Sequence, residues 1–94
     1  MSAGLVGTKS NVASSATSVD VLAANALRKR YQIFNDSSQT MYLDETGGTA
    51  SATSFTVAIA AGGYFESPIN GQPVNKLTAA WASANGFARV TEWV

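Results

Sequence analysis

Cysteine and histidine are both missing from this 94-residue chain. The first absence excludes disulfide staples, thiolate nucleophiles and zinc sites built on cysteine. The second removes the usual general base near neutral pH and the commonest transition-metal ligand. Glycine-rich phosphate loops of the Gly-x-Gly-x-x-Gly or P-loop type and a Gly-x-Ser-x-Gly nucleophile elbow are also missing. Paired carboxylates occur once, at Asp44-Glu45. Neighbours on a strand point to opposite faces, so these two cannot flank one substrate bond. A calcium loop there would need the Asp-x-Asp-x-Asp-Gly spacing, which is not present. No catalytic residue, cofactor or metal is therefore expected, and the chain is not read as an enzyme.

Charge is scarce as well. Charged residues make up 13% of the chain, against about 25% in an average soluble domain. Ala, Gly, Ser and Thr (16, 8, 11 and 9 residues) fill nearly half of it. Few side chains are large enough for a thick core, and a domain of this size buries only about 60% of its unfolded surface. Such chains gain the rest from partners or from copies of themselves. The composition therefore points to assembly.

The net charge of zero hides an asymmetry. Residues 1–30 carry Lys9, Arg28, Lys29 and Arg30 against Asp20, a net +3. Residues 31–94 carry Lys76 and Arg89 against Asp36, Asp44, Glu45, Glu66 and Glu92, a net −3. The basic residues are too dispersed for the compact run that marks a nucleic-acid tail, and no nucleic-acid partner is expected. A stacking platform for single strands also needs a basic groove, which the acidic body does not supply. Trp81 is accordingly read as core. Trp93 either closes the sheet or anchors a neighbouring subunit, tryptophan being enriched at interface hot spots.

Residues 1–16 (MSAGLVGTKSNVASSA) are small, polar and without sustained periodicity. They read as a flexible N-terminal arm, or as a segment that orders on a partner. They lack the apolar stretch of a signal peptide, and no run approaches the eighteen or so apolar residues that span a bilayer. No membrane partner is expected, and synthesis in the cytoplasm is. Residues 17–94 read as a single β domain.

Period-two alternation marks Ser18-Val19-Asp20-Val21, and Leu22-Ala23-Ala24 continues the extended run to a turn at Asn25, with a helix over 20–30 as a competing reading. In Arg28 to Asn35, Tyr31 and Ile33 share one face while Arg30, Gln32 and Phe34 share the other. The turn formers Asn35-Asp36-Ser37-Ser38 predict a hairpin back through Gln39 to Asp44. A glycine-containing loop over 46–54 precedes a strand at Phe55 to Ile59, with Phe55, Val57 and Ile59 on one face, and another strand starts at Tyr64. Two Asn-Gly pairs, Asn70-Gly71 and Asn85-Gly86, are turn signals. The second predicts a hairpin between Val74–Ala82 and Phe87–Trp93. Most of the nine aromatic residues fall on these strands and are expected in the core. Six or seven short strands at this spacing predict an all-β fold, a small antiparallel β-sandwich or barrel of jelly-roll or immunoglobulin-like type.

One stretch carries a resemblance. Arg28 to Ser38 (RKRYQIFNDSS), then Met41-Tyr42-Leu43, a Gly-Gly-Thr-Ala loop, the Ala61 to Glu66 segment (AGGYFE) and the closing Val90-Thr91-Glu92 are together similar to small structural proteins of tailed bacteriophages. The similarity covers about residues 28–92. The end, Glu92-Trp93-Val94, departs from that pattern. The resemblance implies a virion component, foremost a capsid decoration or cement protein that binds and stabilises the major capsid protein lattice. Head–tail connector, neck and tail proteins resemble it equally. A receptor- or carbohydrate-binding module is the competing class. Homo-oligomerisation, preferably as a trimer, is expected. Arg28, Lys29, Arg30 and Trp93 are the candidate partner-binding residues.

Overall fold

The computed structural model describes residues 4–68, 71 and 73–94. Eight strands follow one another: β1 (Gly7–Ala13), β2 (Val19–Leu22), β3 (Arg30–Asp36), β4 (Met41–Asp44), β5 (Val57–Ile59), β6 (Tyr64–Glu66), β7 (Leu77–Trp81) and β8 (Phe87–Trp93). They form two antiparallel four-stranded sheets: sheet A in the order β1-β8-β3-β6, and sheet B in the order β2-β7-β4-β5. No helix occurs among the described residues, which settles the 20–30 segment as strand followed by turn. There Arg28 N–H closes onto the Asn25 carbonyl at 3.1 Å. The expected all-β class holds.

Both sheets contribute to one hydrophobic core. Sheet A supplies Tyr31, Ile33, Ala88 and Val90; sheet B supplies Val21, Met41, Leu43, Ile59, Leu77, Ala79 and Trp81. Side chains alternate across a strand, so each sheet also has an outer face, and the two outer faces differ.

The outer face of sheet B is roofed. Residues 45–56 lie against it, and Ala50 among them is buried with its N–H bonded to Ser18 Oγ at 3.0 Å. Thr78 Oγ1 donates to the Gly48 carbonyl at 2.6 Å. All five residues of β7 are consequently buried, both faces included. Asp44 holds the start of the roof. Desolvation pushes its carboxyl pKa up, but hydrogen bonds from the Thr46 N–H and hydroxyl, the Thr56 hydroxyl and the Gly48 N–H outweigh that and hold it below its ordinary value. The next residue, Glu45, turns the other way and accepts a hydrogen bond from the core residue Tyr31 through its phenol. Burial raises its pKa.

Two polar side chains tie the ends of the core. Asn35 is fully buried, and its Nδ2 donates to the carbonyls of Gln39 (2.8 Å), Ile59 (2.9 Å) and Ala60 (3.1 Å). Its Oδ1 accepts the indole N–H of Trp81 at 3.1 Å. A buried amide whose donors and acceptor are satisfied fixes one arrangement of its neighbours. Arg28 ties the other end, as described below.

Several expectations are corrected. The two predicted hairpins do not form: β3 and β4 lie in different sheets, and so do β7 and β8. An Asn-Gly pair marks a turn without saying which sheet the chain enters next. Gly86 does turn with φ +84°, but it passes so close to the Asp36 backbone that a Cβ there would collide with the Asp36 carbonyl. That approach delivers β8 between β1 and β3. Residues 7–13, expected within a flexible arm, are a strand paired with β8 over seven consecutive positions from Gly7↔Trp93 to Ala13↔Phe87. The ladder satisfies backbone groups that composition alone says nothing about. Phe55 leaves the Val57–Ile59 face and packs outside against Tyr42, ring centroids 5.1 Å apart. The aromatic core is also smaller than expected. Only Tyr31 and Trp81 are buried, while Phe34, Phe55, Tyr64 and Phe87 are exposed. The Asn70-Gly71 turn falls partly outside the described residues.

Candidate functional site

Arg28, the first of the expected partner-binding residues, is internal and 1% exposed. Its Nε donates to Glu92 Oε2 at 2.8 Å, one terminal nitrogen to the carbonyls of Pro73 (3.0 Å) and Asn75 (2.9 Å), and the other to the Ala23 carbonyl (2.6 Å). The planar fork of a guanidinium suits several fixed acceptors at once. Arg28 therefore knots two backbone segments, at residue 23 and at 73–75, to β8 and is buried away from any binding partner. The sequence reading counted its charge and could not see the carbonyls that converge on it.

Lys29 is exposed, with its N–H on the Trp93 carbonyl at 2.7 Å. Arg30 and Trp93 face each other in the β3–β8 register, and both lie on the outer face of sheet A. The structure thus brings two of the four expected residues together, leaves Lys29 beside them, and removes Arg28.

The strand registers give the composition of that face in rows. Trp93 lies between Gly7 and Arg30; Thr91 between Lys9 and Gln32, with Glu66 beyond; Arg89 between Asn11 and Phe34, with Tyr64 beyond; Phe87 between Ala13 and Asp36. Four large aromatic side chains therefore share one sheet face, and no segment among the described residues lies over it. Phe34, Phe87 and Tyr64 are 40%, 40% and 56% exposed, where a core would leave almost nothing exposed.

These side chains are held in place. Trp93 Nε1 donates to Gln32 Oε1 at 2.8 Å, and Gln32 Nε2 donates to the Tyr64 hydroxyl at 2.8 Å. The Tyr64 hydroxyl in turn donates to Glu66 Oε2 at 3.3 Å, which also takes Arg30 at 2.6 Å. Arg89 pairs with Asp36 at 2.9 Å and lies over the Phe87 ring, 4.6 Å from its centroid. Ion pairs at such exposure contribute little to stability, but linked side chains lose little further freedom when a partner covers them. The Trp93 ring presses flat on Gly7, where a Cβ would sit 2.7 Å from the ring. Glycine at that position is required by the close approach rather than by its backbone angle.

A shallow groove of about 240 Å3 runs across the middle rows, lined among others by Lys9, Asn11, Gln32, Phe34, Tyr64 and Arg89. That is below the roughly 300 Å3 at which pockets begin to enclose a drug-sized ligand. It fits one ring or one side chain of a partner. Lys9 on its rim makes no ion pair among the described residues. No group of three or more acidic side chains that could hold a metal ion occurs among the described residues.

Lys9, Asn11, Gln32, Phe34, Tyr64, Phe87 and Arg89 were not singled out from the sequence. The signal was present as parity: Arg30, Gln32 and Phe34 share one face of a strand, and Phe87, Arg89, Thr91 and Trp93 share one face of another. Grouping aromatics by type rather than by parity sent them to the core. Compared with models of known families, with curated proteins and with solved structures, the chain matches none.

Proposed function

We propose that this chain is a non-enzymatic structural subunit of a tailed-phage virion. In that role it is a capsid decoration protein, made in the host cytoplasm, that covers part of the major capsid protein lattice with the outer face of sheet A. The two sheets around one core are then a small β-sandwich of jelly-roll or immunoglobulin-like type. The observation that carries the reading is the aromatic face: Trp93, Tyr64, Phe34 and Phe87 on one side of sheet A, Trp93 and Tyr64 linked through Gln32 and Phe87 lying under Arg89. Exposed apolar patches of this kind mark interaction surfaces, and aromatic anchors dominate binding energy when a partner buries them. The resemblance over residues 28–92 supplies the kind of partner.

The test is co-sedimentation of the purified chain with empty heads of the phage that encodes it, together with its copy number in purified virions. Hundreds of copies and saturable binding to heads support decoration; about a dozen copies indicate a connector or neck protein instead. Absence from the virion overturns the reading. The double substitution Phe34→Ser with Tyr64→Ser is expected to weaken head binding at least about tenfold while leaving the fold in place.

The groove supports a second reading, a receptor- or carbohydrate-binding module. Aromatic rings beside amide groups, here Phe34 and Tyr64 beside Gln32 and Asn11, are the parts a sugar ring needs. Saccharide binding abolished by Tyr64→Ala, with no head binding by the unaltered chain, would favour it.

A further inference from the structure

The edges of the two sheets are unequal. Three are short: β5 and β6 have three residues each, and β2 has four and carries a register shift between Asp20 and Leu22. The fourth, β1, runs seven residues with no shift against β8 and contains no proline. Native edges are normally blunted by shortness, proline, bulges or charge. β1 has one charge, Lys9, and none of the other devices.

The hydrogen-bond phase of β1 shows which of its backbone groups are free. Val6 and Val94 exchange both bonds at 2.9 Å, and Ser14 N–H reaches the Gly86 carbonyl at 3.0 Å. In an antiparallel ladder the bonded pairs alternate, so Thr8, Ser10 and Val12 bond to β8. Gly7, Lys9, Asn11 and Ala13 therefore turn their N–H and C=O groups away from the sheet.

We propose that two copies of this chain pair through that edge, β1 against β1, antiparallel about a two-fold axis at Ser10. This register sets Lys9 against Asn11 and Gly7 against Ala13 of the other copy, each a pair of residues whose free groups can exchange two bonds. About eight inter-chain hydrogen bonds form, and the two sheets A become one eight-stranded sheet. Seven residues meet seven with no overhang. The only charge in the strand falls opposite a neutral amide, whereas a register centred on residue 9 would set lysine against lysine, which is unfavourable. Ser10 at the axis is small, Lys9, Asn11, Thr8 and Ser10 are all exposed, and no other segment among the described residues lies along this edge. A two-fold contact uses the same patch twice, whereas the trimer expected from the sequence would need two different patches. Because Lys9 and Asn11 line the groove, pairing joins the two grooves and both aromatic faces into one surface. The inference deepens the assembly reading and rests on it for the use made of that surface. It is tested on the isolated chain, so its failure is separable from a failure to bind heads.

The absence of native cysteine makes the test direct. Residues at a non-hydrogen-bonded antiparallel pair have Cα atoms about 4.5 Å apart, inside the span a disulfide can bridge. Ser10→Cys is expected to oxidise to a covalent dimer about ten times faster than Lys29→Cys, an exposed position off the edge. Lys9→Cys, displaced diagonally from its copy, is expected to fall between them. In sedimentation the unaltered chain is expected at the mass of two chains. Asn11→Pro, which removes an N–H from the free edge but none from the β1–β8 ladder, is expected at the mass of one with an unchanged circular dichroism spectrum. A monomeric unaltered chain across the micromolar range overturns the proposal. So does cross-linking at Ser10→Cys no faster than at Lys29→Cys, or fastest at a position other than 10.

Discussion

The two outer faces of this molecule are built from the same kind of strand and treated in opposite ways. Sheet B carries mostly small residues outward, Thr78 and Ala80 on β7 among them, with one aromatic, Tyr42, and its own chain lies over this face in residues 45–56, Phe55 against Tyr42. Sheet A carries Trp93, Tyr64, Phe34 and Phe87 outward, and no segment among the described residues lies over them. Four aromatic side chains are thus on the face left open, and one strand aromatic, Tyr42, on the roofed face. Burying an aromatic ring stabilises by about 2 kcal/mol or more, so a chain selected only for its own stability would put the roof on the other sheet. The difference separates what the fold needs from what a partner uses.

The largest effect is expected where a charge is forced under the roof. Ala80→Glu places a carboxylate at a position 3% exposed, and the loop must lift to hydrate it at a cost of about 2–4 kcal/mol. Phe34→Glu, the same kind of change on the open face, is expected to cost less than about 1 kcal/mol. Equal costs in urea denaturation would end the distinction between the faces. Thr78→Val removes the 2.6 Å bond to the Gly48 carbonyl and is expected to cost about 1 kcal/mol. Faster hydrogen exchange should be confined to residues 45–56.

Acidity gives a smaller handle on the same contrast. The stabilisation by Asp44 is fully present above its ordinary pKa of 3.8 and is lost as pH falls through its lower folded value. Glu45 acts in the opposite sense. Its raised folded pKa means that stability declines as pH rises from 4.5 through that folded value. Asp44→Asn is therefore expected to flatten the acid limb of the stability profile, and Glu45→Gln to flatten the decline above it. Chemical denaturation across the acid range checks both. The smallest effect on stability is expected from Phe87→Ser, under about 1 kcal/mol, and its effect should appear in partner binding. A loss of stability as large as that of Ala80→Glu would mean that the open face is held together for the fold's own sake.

Much of this fold was legible in the sequence, and the illegible part has a physical reason. Alternation located the strands, and it placed Tyr31 and Ile33 opposite Arg30, Gln32 and Phe34 as the structure has them. Local turn chemistry marked Asn85-Gly86 correctly as a turn. Which sheet a strand joins is decided by distant partners, so the hairpin reading of 74–93 failed where the turn reading did not. Arg28 illustrates the same limit for the site. Its role depends on carbonyls at residues 23, 73 and 75, and no spacing rule connects those positions. The strand at residues 7–13 was hidden differently: its side chains bury little beyond Val12, so hydrophobic periodicity has little to report, and the backbone ladder is its main hold.

The place of β8 at the centre of sheet A governs the order of events in folding. It lies between β1 and β3, yet it is the last of the eight strands to leave the ribosome. Until it arrives, β1 has no neighbour and β3 has only the three-residue β6. Every pairing within the β1-β8-β3 core of the sheet joins segments more than fifty residues apart, and such long-range closure slows folding to milliseconds or longer. Sheet A, and the aromatic face with it, therefore comes into being late and in one step, when a single strand enters the gap between two others.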